Sequence, residues 1–212
     1  MIISAKKGIS IIITVYLVGL AGFLIPYTTD IFIRLIPVNM LFNFFILLYF
    51  HENYKIKVLI SALLIYSISF ITECAGVNYG IIFGQYSYSN ILWISLYNTP
   101  LIIGLNWLML IYCVYIIIQK LHLNIILKIL AGSIIMVLYD LFLEPVAKGT
   151  GMWEWYNDTV PANNYIAWGV LSFIFLSGLF IFRIRFFNKI AIPLFIAQSC
   201  FFIILSVRYI LF

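Results

Sequence analysis

Apolar residues fall in seven long runs, broken by short polar or aromatic segments: Ile9–Ile25, Ile36–Phe50, Val58–Ala75, Thr99–Ile118, Ile125–Leu143, Tyr165–Phe182 and Ile190–Leu211. A bilayer-crossing helix needs about 20 apolar residues, with a range of about 17–25. The second run is short and opens near Pro37. The pattern predicts an all-α polytopic membrane bundle of about seven transmembrane helices, forming a single integral membrane domain over residues 1–212.

Composition agrees. The chain is 65% hydrophobic and 9% charged, where soluble domains carry about 25% charged residues. Such a chain cannot cover a water-facing surface, so its solvent is lipid. The net charge of +5 would point to nucleic acid in a soluble protein. Here the basic residues sit in short interhelical loops and read as an orientation signal, so no nucleic-acid partner is expected. With the N-terminus cytoplasmic, the inner segments hold Lys6, Lys7, Lys55, Lys57, Lys120, Lys128, Arg183, Arg185 and Lys189, and the outer ones only Arg34, Lys148 and Arg208. This distribution predicts a cytoplasmic N-terminus, an outer C-terminus and a multi-pass protein of the cell membrane. Lys6 and Lys7 before an apolar run resemble the start of a signal peptide, but no small-x-small cleavage site follows, so a retained first helix is expected.

Cys74, Cys113 and Cys200 are scattered in apolar stretches without a CxxC, which argues against a disulfide framework or a zinc site. His51 and His122 lie in short loops and cannot supply a clustered histidine set. No metal or other cofactor is expected.

Two outer connections are long, Gly76–Asn98 and Glu144–Asn164, and both are rich in Gly, Trp, Tyr and Asn. Long irregular loops commonly carry function. In the first, Glu73 precedes Gly76 and Gly80, then Tyr86 and Tyr88, then Pro100, with Trp107 following. In the second, Glu144 precedes Gly149 and Gly151, then Trp153 and Trp155, then Pro161, with Trp168 at the same interval as Trp107 from its proline. Proline suits a helix start, where its missing N–H is not needed. One reading is a degenerate parallel repeat of two helix pairs. The other is that both loops draw on common interfacial residues.

Among the acids, Asp30, Glu52 and Asp158 fall in loops and read as solvated charges, while Glu154 lies between two tryptophans at the interface. Glu73, Asp140 and Glu144 lie instead at or near the outer ends of apolar helices. An ionised carboxylate at mid-helix costs about 2.5–3.5 kcal/mol on insertion scales, so such residues are functional candidates. Asp140 and Glu144 share a helix face. Two carboxyls this close in a low-dielectric site cannot both ionise cheaply, which favours a neutral acid beside a carboxylate. Pro145 is expected to end or kink the helix and turn Glu144 toward the loop. If the helices bearing Glu73 and Asp140 are neighbours, the three carboxyls converge on one outer-leaflet cavity.

Tyr66, Tyr79, Tyr86, Tyr88, Tyr139, Trp107, Trp153 and Trp168 gather around these acids in sequence. Singly each fits packing or the interfacial aromatic belt; together their faces suit a cation. Asn106, Asn163 and Asn164 are candidates to hydrogen-bond either a water or a neighbouring helix. An acid, a nearby carboxylate, aromatic walls and access from lipid suit protonation of an alkene in a lipophilic substrate, with capture of the carbocation by water or an internal double bond. A transporter uses intramembrane acids equally well for proton coupling.

Three blocks carry a family resemblance: Thr72 to Val77 with Gly80 to Tyr88, Tyr97 to Trp107, and Tyr139 to Pro145 with Gly151 to Trp155 and Asn163 to Trp168. Over residues 15–180 the chain resembles the carotenoid 1,2-hydratases, the family that includes bisanhydrobacterioruberin hydratase. In that pattern the third block reads Trp-Asp and then Asp-Pro; here Tyr139 and Glu144 keep an aromatic and a carboxyl. Asn106 stands where a small or apolar residue is expected, which points to a different substrate or water arrangement. The resemblance implies a cofactor-free hydro-lyase that adds water to the terminal C1–C2 double bond of an acyclic carotenoid. It would work among membrane lipids and beside other carotenoid enzymes.

The roles then expected are Asp140 as proton donor, Glu73 or Glu144 as water-orienting base, and Tyr86, Tyr88, Asn106, Trp107, Tyr139, Trp153, Asn164 and Trp168 around the substrate. The competing readings are a lycopene-cyclase-like enzyme, whose substrate captures its own cation, and a non-enzymatic proton-coupled transporter or lipid carrier. A retinal photoreceptor fits poorly, because the last run has no Schiff-base lysine; Lys189 lies only at its start.

Overall fold

The computed structural model describes residues 3–211. Eight helices follow in order: α1 (Ala5–Leu24), α2 (Thr29–Arg34), α3 (Ile36–Phe50), α4 (Ile56–Tyr79), α5 (Leu101–Gln119), α6 (Ile125–Thr150), α7 (Ala162–Ile181) and α8 (Ala191–Leu211). Four short strands lie between them: β1 (Tyr86–Tyr88), β2 (Ser95–Leu96), β3 (Thr99–Pro100) and β4 (Trp153–Trp155). The chain is an all-α helical bundle.

Six helices, α1 and α4–α8, are long and apolar enough to cross a membrane. The expected second span appears as α3, with 15 residues. That is about 22 Å at 1.5 Å per residue, against a hydrocarbon core of about 30 Å. Only Leu35 separates it from the short α2, which occupies part of the segment expected as loop. Pro37, at the first turn of α3, has no N–H to offer the preceding turn, which explains the break there.

Contacts between helix ends divide the bundle into two ends. At one, the Ile3 N–H donates to Tyr49 Oη, Glu52 N–H to the Phe187 carbonyl, and Lys128 Nζ to the Gln119 carbonyl. At the other, Arg208 bonds the Phe23 carbonyl, the Thr28 hydroxyl donates to the Gly22 carbonyl, and Tyr156 N–H donates to the Gln85 carbonyl. The α2–α3 segment therefore runs from one end to the other, antiparallel to α1. The nine cations expected on the inner side all belong to the first end, and Arg34, Lys148 and Arg208 to the second.

α5 is the central helix and is buried along most of its length. It packs on α4, α6 and α8, while α6 packs on α7 and α8, and α1 on α8. Two helices run further than their apolar patterns. α4 continues past Ala75 to Tyr79 and α6 past Leu143 to Thr150, each capped by a left-handed glycine, Gly80 and Gly151. Pro145 therefore does not end α6: it lies inside the helix. The turn after it stays helical because Val146, Ala147 and Thr150 are buried, and Thr150 Oγ1 donates to the Val146 carbonyl at 2.7 Å.

Candidate active site

The second end of the bundle is closed by a small lid made from the two long connections. β1 and β4 pair antiparallel, with Tyr86 opposite Trp155, Ser87 opposite Glu154 and Tyr88 opposite Trp153. The alternation of a strand then directs the aromatic residues of each strand to one face and Ser87 and Glu154 to the other. The aromatic face looks down on the glutamates.

Glu73, buried on α4, accepts three hydrogen bonds. Tyr86 Oη donates at 2.5 Å and Tyr88 Oη at 2.9 Å, both to Oε2, and Trp107 Nε1 donates to Oε1 at 2.8 Å. Burial, and then the facing Glu73 carboxylate, hold the hydroxyls of Tyr86 and Tyr88 well above the ordinary phenol range, so both remain protonated donors. Gly76, one turn along α4, makes room for this lid: a Cβ there would lie 2.6 Å from the Phe83 ring and 3.2 Å from Tyr86 Oη.

Glu144, buried on α6, is held in a similar way. Trp155 Nε1 donates to Oε2 at 2.7 Å and Trp153 Nε1 at 3.1 Å. Asn164 Nδ2, from the first turn of α7, lies 3.4 Å from Oε1. Trp107 and Trp168 then meet between the two halves, with ring centroids 4.3 Å apart and planes tilted by 30°.

These correspondences are the ones that the repeat reading of the two loops pairs. Each half supplies a helix-borne glutamate, two aromatic donors on a strand, and a tryptophan at the same interval after a helix-opening proline. The antiparallel β1–β4 pairing is what a two-fold relation between α4–α5 and α6–α7 would give at its axis.

Asp140 breaks that relation. It is fully buried one turn before Glu144, and the residue one turn before Glu73 is Ser69. Asn164 Nδ2 donates to Asp140 Oδ2 at 2.6 Å, while Oδ1 is buried without a hydrogen-bond partner among the described residues. Among the three acids, only this one has an oxygen free of donors in the buried interior.

Glu73, Asp140 and Glu144 line one small chamber of about 30 Å³, together with Tyr86, Tyr88, Asn106, Trp107, Trp153, Trp155, Asn164 and Trp168. That volume accommodates a water molecule. The three carboxyls converge on one chamber, although α4 and α6 are not close neighbours and both pack on α5. A larger cavity of about 420 Å³ lies beside the chamber, lined largely by apolar residues of α1, α3, α6 and α8. Ile103, Asn106, Leu143 and Trp153 border both spaces.

Tyr139 does not join the acids. It turns away from Asp140 toward α8, against Phe195 and Phe202, and lines the larger cavity. Tyr66 packs near Gly104 and donates to the Leu101 carbonyl, Tyr79 is 73% exposed, and Asn163 is exposed, so none of these reaches the chamber. Trp155 is the donor that the sequence candidates omitted; its spacing from Trp153 on a strand was the available signal. The larger cavity also contains Tyr16, Asn39, Asn43 and Gln198, with Asn43 Nδ2 and Tyr16 Oη 2.7 Å apart. Asn39 and Asn43, one turn apart on an otherwise apolar helix, were the visible trace of that polar group. No group of three or more His, Cys, Asp or Glu side chains arranged to hold a metal ion occurs among the described residues.

Residues 35–211 match the model of a family described as carotenoid biosynthesis protein. The chain belongs to that family. The match begins at the α2–α3 junction and takes in every element of the lid and both glutamate-bearing helices, as well as α8. Neither the curated proteins nor the solved structures yield a match to the chain. The family and the six apolar helices give the protein a role in carotenoid biosynthesis as a multi-pass membrane protein.

Proposed function

We propose that the protein is a carotenoid hydratase, adding water across the terminal C1–C2 double bond of an acyclic carotenoid without a cofactor. The observation that carries this reading is a water-sized, acid-lined chamber that shares four wall residues with a much larger, mostly apolar cavity. Hydration of a polyene needs both environments at one point.

Asp140 is the proton donor in this reading. Glu73 and Glu144 are each surrounded by N–H and O–H donors, which suit carboxylates. A third negative charge among them would be costly in so buried a place, whereas a neutral Asp140 is not. Its free Oδ1 presents the proton to the alkene. The proton adds to C2 and leaves a tertiary cation at C1, flanked by the Trp107, Trp153 and Trp168 rings and by the fixed charge of Glu73. Water attacks C1. Glu144 Oε1, which has only the long Asn164 contact, takes the proton released and returns it to Asp140. Tyr86 and Tyr88 keep Glu73 in place, and Tyr139 packs along the chain in the larger cavity.

The substrate reaches the cavity from the lipid, by exchange with membranes or with neighbouring carotenoid enzymes. The protein forms one integral membrane domain in the cell membrane. By the positive-inside rule its cation-rich end, with the N-terminus, faces the cytoplasm, and the lid and the C-terminus face outward.

Expression in a lycopene-making host, followed by pigment mass analysis, tests the reaction. A hydratase gives products heavier by one or two waters. An isomer of unchanged mass would mean a cyclase, and proton-dependent flux with unaltered pigment a transporter; either would reject hydration.

A further inference from the structure

Four residues border both the acid chamber and the larger cavity: Ile103, Asn106, Leu143 and Trp153. Two are aliphatic, and the indole N–H of Trp153 is engaged by Glu144. Asn106 is the remaining one, a half-buried amide on α5 that makes no hydrogen bond within the protein among the described residues. A buried or half-buried amide normally finds partners. Both neighbouring spaces accommodate a water, and in the chamber that water lies among the three carboxyls.

Matching the two halves residue by residue makes the same residue stand out independently. Stepping back one position from Trp107 gives Asn106; the matching step from Trp168 gives Ala167. The glutamates and the indoles are duplicated between the halves, but three polar residues of the chamber are not. Asp140 corresponds to Ser69, Asn164 to Ile103, and Asn106 to Ala167. All three unduplicated residues line the chamber. Asp140 and Asn164 are joined to each other at 2.6 Å, which leaves Asn106 as the polar group on the wall shared with the apolar cavity.

We infer that Asn106 holds the attacking water at the wall shared by the two cavities and so decides whether the carbocation becomes an alcohol. This rests on the hydratase reading and assigns a step within it. The Asn106 carbonyl oxygen accepts a hydrogen bond from the water and leaves the water's lone pair directed at C1. The alkene π pair takes the Asp140 proton and forms the C2–H bond; the water lone pair forms the C1–O bond; the water's second proton passes to Glu144 and back to Asp140. One water is consumed and no electrons are exchanged. Without a held water, and short of closure onto an internal double bond, the cation has one other exit, loss of a proton from carbon to a carboxylate, which regenerates an alkene.

The two exits are separable in heavy water. Membranes containing the protein are supplied with lycopene in D2O, and both alcohol and deuterium in the recovered polyene are measured by mass. Asn106→Leu is expected to lower alcohol formation at least tenfold while the recovered polyene still gains deuterium at a rate comparable to wild type. Asn106→Ala, which removes the amide without adding bulk, is expected to show the same split, and decides the matter if the leucine variant does not accumulate. A parallel fall in alcohol and deuterium uptake, or undiminished alcohol, would overturn the assignment. A wild-type protein that adds no oxygen to the polyene would instead reject the hydratase reading, and the assignment with it.

Discussion

Asp140 and Ser69 occupy equivalent places, each one helical turn before the glutamate that its own helix contributes to the chamber, and both are fully buried. The serine hydroxyl donates to the Tyr66 carbonyl of its own helix at 3.0 Å, whereas the Asp140 carboxyl is held across helices by Asn164. The two helices thus match in the glutamate that each contributes and differ in the residue one turn before it.

That difference gives the first prediction. Asp140→Asn keeps the size of the side chain and the chance of a bond to Asn164 but cannot deliver a proton. Alcohol formation from lycopene should fall by about 10²–10⁴-fold, the usual contribution of a positioned acid, while the protein still accumulates in membranes. Ser69→Ala, at the equivalent place, should keep activity within about threefold of wild type, because it loses only a bond within one helix, of about 1 kcal/mol. Product quantification per unit of membrane-inserted protein measures both.

The Glu73 network predicts a stability effect. Tyr86→Phe and Tyr88→Phe each remove one donor from a buried carboxylate, at a cost of about 1–3 kcal/mol. Paired with Glu73→Gln, either loss should be smaller than in the wild-type background, since the acceptor is no longer charged. Thermal unfolding in detergent, run as a double-mutant cycle, reads this coupling. Additive losses would mean that the phenols act through packing alone.

The larger cavity predicts a steric effect. Gly19 lines it, and a Cβ there would meet only the Phe201 ring, at an ordinary 3.5 Å. Gly19→Leu should therefore fold normally and narrow the cavity. We expect KM for the polyene to rise severalfold with kcat changed less, as measured by initial rates in detergent-solubilised protein. An unchanged KM would place the substrate elsewhere.

Sidedness is testable without any substrate. Tyr156, 70% exposed beside the lid, and His122, between α5 and α6, lie at opposite ends of the bundle. In a variant whose native cysteines are replaced, Tyr156→Cys should react with a membrane-impermeant maleimide on intact cells, and His122→Cys only after lysis. The reverse pattern would invert the orientation.

Much of this protein was legible along the chain. The lipid environment imposes long apolar runs, so the helical bundle could be read directly, and the separation of twelve cations into two groups corresponds to the two ends of the bundle. The three chamber acids were visible because carboxyls are rare in apolar helices, and the shared Pro–Trp spacing marked the two long loops as alike. The family resemblance rested on those same blocks.

Tertiary packing decided the rest. Which donors meet Glu73 depends on residues 13 and 34 positions away, brought in by a strand pairing and a neighbouring helix. Tyr139 and Asp140 are adjacent in sequence, yet successive residues on a helix point about 100° apart. One therefore faces the larger cavity and the other the acid chamber, and no local pattern says which. Pro145 carries a local signal to stop, and the burial of the turn beyond it outweighed that signal. The sequence by itself determined the membrane bundle, the distribution of charge and the three acids. Only the tertiary structure decided that two of those acids are wrapped in donors while Asp140 keeps a free oxygen, because hydrogen-bond satisfaction in a buried site is set by neighbours far apart along the chain.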